Sequence, residues 1–190
     1  MELHSKDRFK KVDITDIAIK KVQRISYKGL TEEQSDILYR LARSVLQTAQ
    51  IENDSNEVAI TIDLDNLTGT QGLVKGNEHE VNVSSDVDSH HLLLFGKNVA
   101  IIHNHPSTQT LSLQDIYLFL STVTVRLIVV VSNQGTVHYL LKDNHYVFSA
   151  ARDLYNSCVD DLSKDSSEQE SYNAALDFLA HCSEAGLYYH

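Results

Sequence analysis

The feature that most limits the fold is Leu127-Ile128-Val129-Val130-Val131, five apolar and mostly β-branched residues in a row. A strand alternates its side chains between the two faces of a sheet, so a run without a polar position has to be covered on both sides. The chain therefore needs a sheet with helices over each face. Its 190 residues suffice for one domain of ordinary size with a substantial core, and are too few for two.

A second run, Val99-Ala100-Ile101-Ile102, leads into His103-Asn104-His105-Pro106. It reads as a buried strand that delivers two histidines where the strand stops. Alternation puts His103 and His105 on one side of the backbone, which is chelate geometry. Ser112 then opens an apolar-periodic helix (Leu113, Ile116, Leu118, Phe119, Leu120), with Asp115 three positions beyond it. Two imidazoles and one carboxylate form an N/O set suited to Zn²⁺, and three protein ligands leave a fourth position open, as catalytic sites do. Plainer readings stand beside this one. Ser112-x-x-Asp115 is close to an N-terminal capping box, and ten histidines in 190 residues make His-x-His pairs by chance. Capping and metal binding are compatible at Ser112.

His103-x-His105-Pro106 followed by Ser112-x-x-Asp115 resembles the metal-binding motif of the JAMM/MPN metalloproteases. Ile102 to Ser107 is especially similar to the bacterial RadC-like branch. The family also has a glutamate at the start of the first strand after an N-terminal helix, a place that Glu57 occupies here. Pro106 to Leu111 is a loop of six residues, one shorter than is usual in the family. The resemblance covers roughly Thr31 to Leu141. It implies an MPN/JAB-like (cytidine-deaminase-like) α/β fold, a mixed sheet sandwiched by helices. A domain at 31–148 would carry helical extensions at 1–30 and 149–190. It also implies a zinc hydrolase that cleaves a peptide or isopeptide bond in a protein or peptide substrate, in some relatives next to a ubiquitin-like tail. Glu57 would then be the general base and Ser112 the oxyanion donor. Glu52, Glu78 and Glu80 are rival acids. His90 and His91 are rival ligands, of which a helix could present only one to the site. A catalytically inactive MPN-like module that binds a partner protein is the alternative of another class. A RadC-like nucleic-acid-associated factor is a third.

Charge argues against that third reading. The formal net of −10 is wrong for a dedicated duplex-DNA binder, which needs clustered Lys and Arg. The distribution is uneven: residues 1–30 carry eight Lys/Arg against four Asp/Glu, while residues 151–190 carry two against eight. Two solvated faces explain this, and a basic arm that touches a partner is the sharper alternative. No apolar run is long enough to cross a bilayer, and Met1 to Asp7 lacks the apolar core of a secretory leader, so a cytoplasmic protein is expected. Cys158 and Cys182 fit a reducing compartment as free thiols, with a disulfide left open. Cys182 with His181 and His190 matches no four-ligand metal spacing.

The remaining elements follow from period and punctuation. Asp13 to Ile25 has helical spacing, and Thr31-Glu32-Glu33-Gln34 is a capping box ahead of the stripe Ile37, Leu38, Leu41, Ala42, Val45, Leu46, Ala49. Strands are expected over 57–64 and 71–76, and a half-exposed one over 78–83. Ser84 or Ser85 would cap a helix ending at Gly96. Thr136 to Leu141 pairs with Leu127 to Val131 across Asn133-Gln134-Gly135. Two last helices are expected near 149–163 and 168–185, with Gly186 closing the second.

Overall fold

The computed structural model describes residues 9–190; the charged opening stretch Met1 to Asp7 lies outside them. Its elements in chain order are α1 (Asp16–Lys21), α2 (Glu32–Glu52), β1 (Val58–Asp63), β2 (Gln71–Lys75), α3 (Val87–Phe95) and β3 (Val99–His105). There follow α4 (Leu113–Ser121), β4 (Val125–Ser132), β5 (Val137–Lys142), α5 (Phe148–Val159), α6 (Glu168–His181) and β6 (Leu187–Tyr189). The six strands form one mixed sheet in the order β2-β1-β3-β4-β5-β6. The central pair β3 and β4 is parallel, joined through α4, and the other pairs are antiparallel.

Both faces are covered, as the 127–131 run requires. On one side Leu38, Val45, Leu46 and Ala49 of α2 pack with Ile60, Ile62, Ala100, Ile102, Val129 and Val131. On the other, Leu92 of α3, Ile116 and Phe119 of α4, Ala151 of α5 and Phe178 of α6 pack with Ala59, Ile101, Ile128 and Val130. Consecutive residues of β4 thus enter opposite cores. The capping box at Thr31 and Gln34 forms, with both reciprocal bonds present. No helix among the described residues is long and apolar enough to cross a membrane.

Four local expectations change. The first helix is only Asp16–Lys21, because Thr15 caps it by accepting from the Ala18 N–H. Residues 78–83 are not a strand: the Asn77 side chain accepts from the His79 and Glu80 N–H groups and bends the chain there. Helix α3 starts at Val87, capped by Asp86 through the Ser89 N–H, while Val83–Ser85 form a separate 3₁₀ turn. Helix α6 stops at His181, a short 3₁₀ turn follows, and left-handed Gly186 (φ 72°) reverses the chain into β6. The C-terminal segment therefore supplies a sheet strand as well as helices. Cys158 and Cys182 are free thiols.

Candidate metal centre

His103 and His105 project from the last residues of β3 onto the face covered by α4. His103 pairs in register with Val130 and His105 with Ser132, so both stand at the carboxyl ends of the two parallel strands. Their rings lie 4.9 Å apart between centroids, and the Nε2 atoms face one another at 3.0 Å. Asp115, on the first turn of α4, completes the group: Oδ1 is 3.0 Å from His103 Nε2 and Oδ2 is 3.2 Å from His105 Nε2. Both histidines are buried.

Asp115 is placed by the cap that the sequence suggested. Ser112 accepts from the Asp115 N–H, and the carboxylate accepts from the Ser112 N–H at 2.7 Å and from its hydroxyl at 2.7 Å. The capping box and the histidine contacts coexist in one side chain. The six-residue loop from Pro106 to Leu111 is long enough to bring them together. It is fixed by fully buried Leu111, by Thr110 Oγ1 bonded to Tyr189 Oη at 2.8 Å, and by Pro106 O accepting from the Val12 N–H at 2.8 Å.

Electrostatics tie the three together. Burial alone would raise the Asp115 pKa, but His103 and His105 outweigh it and hold the carboxyl well below its usual range. Burial works to lower His105, yet the Asp115 carboxylate prevails and its pKa is raised. Two imidazole nitrogens and one carboxylate converge within 4.8 Å, a group that can hold a metal ion. Tetrahedral bonds of about 2.0–2.1 Å would put ligand atoms ~3.3 Å apart; the two Nε2 atoms stand at 3.0 Å, and each is approached by a different oxygen of the Asp115 carboxylate. The residues present therefore fit a metal ion held by two imidazoles and one carboxylate.

Glu57 stands beside this group. Ala59 pairs with His103 in the antiparallel register of β1 and β3, and continuing that register brings Glu57 opposite His105. It is 7% exposed, and burial pushes its carboxyl up to about 7 against the opposing pull of His105 and His103. It lines a cavity of about 860 Å³ together with His105, Ser112 and Asp115. The rivals lie elsewhere or outside the group. Glu52 pairs with Lys75 at 2.7 Å. Glu78 and Glu80 are exposed on the cavity rim. His90 and His91 sit on exposed positions of α3. Among the described residues, His181, Cys182 and His190 form no further ligand group.

Two contributors were not foreseen. Phe9 and Lys11 line the same cavity, Phe9 edge-on to Tyr172 of α6, so the stretch before α1 is part of the site. Asn104 and Asn133 lie fully buried behind it and bond to one another. The signal for Asn104 was an amide between two histidines at the end of a buried strand, where it has to find partners. No family model, curated protein or solved structure matches the chain. The fold and the site define a mixed α/β protein with a His-His-Asp group, its two histidines buried, able to hold a metal ion.

Proposed function

We propose that this protein is a zinc-dependent hydrolase of the JAMM type, cleaving a peptide or isopeptide bond. The observation that carries the reading is one juxtaposition: an N/O ligand triad at the end of a buried strand, and a buried carboxylate poised near neutral pH in the same cavity. His103, His105 and Asp115 would hold the ion, and their composition favours zinc. When bound, zinc supplies Lewis acidity, which polarises a carbonyl and acidifies water.

The chain's own groups handle the protons. In the metal-free chain burial pushes the Glu57 carboxyl up to about 7, and a bound cation beside it would favour the ionised form that a general base needs. Glu57 can take a proton from the attacking water and return it to the leaving amine, a role worth about 10²–10⁴-fold. Ser112 lines the cavity, and its hydroxyl, which donates to Asp115, would turn that bond to the developing oxyanion. Phe9, Tyr172, Val81 and Leu113 provide apolar wall to hold a substrate chain.

The test is Glu57→Gln in the zinc-loaded protein, assayed on fluorescein-labelled casein and on an internally quenched peptide library. Retained zinc with hydrolysis lowered by at least about 100-fold is expected. Wild-type protein that holds zinc and cleaves nothing would leave the module that binds a partner protein as the better reading.

A further inference from the structure

Nothing bonded to its own carboxylate fixes Glu57: among the described residues that group has no hydrogen-bond or ion-pair partner, although the residue is 93% buried (7% exposed). Its place is set by the backbone: Asn53 Nδ2 donates to Glu57 O at 2.8 Å and to Gly76 O at 3.1 Å, and two further amides hold the residues on either side. Asn104, between the two histidines, points to the opposite face of β3. Its Oδ1 accepts from the Val58 N–H at 2.7 Å, and its Nδ2 donates to Asn56 O at 3.1 Å and to Asn133 Oδ1 at 2.8 Å. Asn133, just past β4, donates through Nδ2 to Ser55 O and to Val12 O, both at 2.8 Å. Both amides are fully buried, and all four of their N–H groups are used.

The segment they grip is held in an unfavourable shape. Asp54 (φ 50°) and Ser55 (φ 57°) are consecutive non-glycine residues in the left-handed region, two residues before Glu57. Such backbone persists only where its surroundings over-determine it. Here the Asn133 bond to Ser55 O, the Asn104 bond to Asn56 O and the Ser55 N–H bond to Ala49 O at 2.8 Å supply that constraint. The same pair reaches Val12, whose N–H bonds Pro106 O next to His105. One buried unit thus connects the strained turn, the histidine strand and the stretch that carries Phe9 and Lys11.

We propose that Asn104 and Asn133 are positioning residues for Glu57: an amide pair that locks the strained 54–55 turn and so sets where the Glu57 carboxylate stands against His103, His105 and Asp115. This rests on the base role given to Glu57 above. The pair touches none of the reacting atoms; it acts through the backbone of Ser55, Asn56 and Val58.

The test uses the zinc-loaded full chain and Asn133→Ala, with Asn133→Ser as a milder variant should the alanine fail to fold. Zinc content should stay at about one ion per chain. Exchange of the Val58 amide should rise at least about tenfold, while the Ile102 and Val129 amides in the core strands keep their protection. On casein, kcat should fall at least about tenfold with KM unchanged. Adding Asp54→Gly, which suits a positive φ, should restore a good part of both losses. Wild-type exchange at Val58, or loosening spread evenly over the core strands with loss of zinc, would overturn the proposal. If wild-type protein cleaves no peptide, the hydrolase reading fails by itself. The exchange and rescue measurements then still decide whether the amides lock the turn.

Discussion

Ser112 and Asp115 hold one another in both directions across the first turn of α4, and the same Asp115 carboxylate meets both imidazoles. A helix cap therefore orients a member of the group that can hold a metal ion. The anion gains from the amide dipoles of the helix start, and the cap spares it a rotamer search.

The two duties of Asp115 separate by substitution. Asp115→Asn keeps an oxygen for the Ser112 N–H and hydroxyl; Asp115→Ala keeps none. Both should weaken zinc binding by about 100-fold or more and lose the pairing with His103 and His105 in the metal-free protein, while alanine loses a further ~1 kcal/mol through the cap. Competition with a chromophoric zinc chelator and urea unfolding in the absence of metal measure the two effects. Wild-type zinc affinity in Asp115→Asn would remove the carboxylate from the site.

The metal-free protein should lose stability as pH rises from about 4.5 to 8. Glu57 is raised from 4.5 to about 7, so over that interval the unfolded chain releases a proton that the folded chain keeps. The contribution is on the order of 3 kcal/mol. His105, also raised, adds stability that is complete below its unfolded value near 6.5 and is lost as pH climbs through the folded value. Asp115, lowered, acts in the opposite sense only at acid pH, losing its contribution as pH falls below about 4. Urea midpoints should decline between about pH 4.5 and 8, and Glu57→Gln should flatten the slope between about 4.5 and 7. A wild-type midpoint that climbs over this range would contradict the burial of Glu57.

Charge in the cavity sets a substrate preference. Among the described residues, Glu57, Glu78, Glu80, Asp115 and Glu168 line it against one lysine, Lys11, whose ammonium is taken by Asn56 at 2.8 Å and Asp54 at 3.3 Å. A cleft of one sign concentrates counter-charged ligands. Peptides bearing Lys or Arg should show kcat/KM about tenfold above acidic peptides at low salt, the gap closing towards 1 M salt as the screening length falls to ~3 Å. Equal rates for the two peptide sets at low salt would count against a cleft that steers by charge.

Lys142 tests the core beneath α4. It is 8% exposed, donates to Thr122 O at 2.9 Å and lies over the Phe119 ring, with no carboxylate partner among the described residues. Burial lowers its pKa from 10.5 to about 8. The folded chain therefore sheds this proton before the unfolded chain does, and stability should rise between about pH 8 and 10.5 from this group. Lys142→Met keeps the packing and should add about 1–2 kcal/mol at pH 7 while removing that rise. Destabilisation by methionine would mean that the Thr122 bond outweighs the buried charge.

What was legible in the sequence was set by period. Val99–Ile102 and Leu127–Val131 declare buried strands because no polar residue interrupts them, and His103, His105 and Asp115 follow from alternation and from the cap at Ser112. The 78–83 alternation misled, since Val81 and Val83 alternate without an adjacent strand to pair with and Asn77 turns the chain first. Strand β6 is three residues long and lies behind Gly186, too short to show a period. The Asn104–Asn133 pair joins positions 29 apart, and the Asn133 bond to Val12 spans 121; contacts of that range have no local pattern.

The most direct measurement is metal content by elemental analysis of untagged protein supplied with zinc, for the wild type, His103→Ala and Asp115→Ala. About one zinc per chain in the wild type and its loss in both variants is the predicted result. No zinc in the wild type, or zinc retained in both variants, would contradict a metal centre at His103, His105 and Asp115.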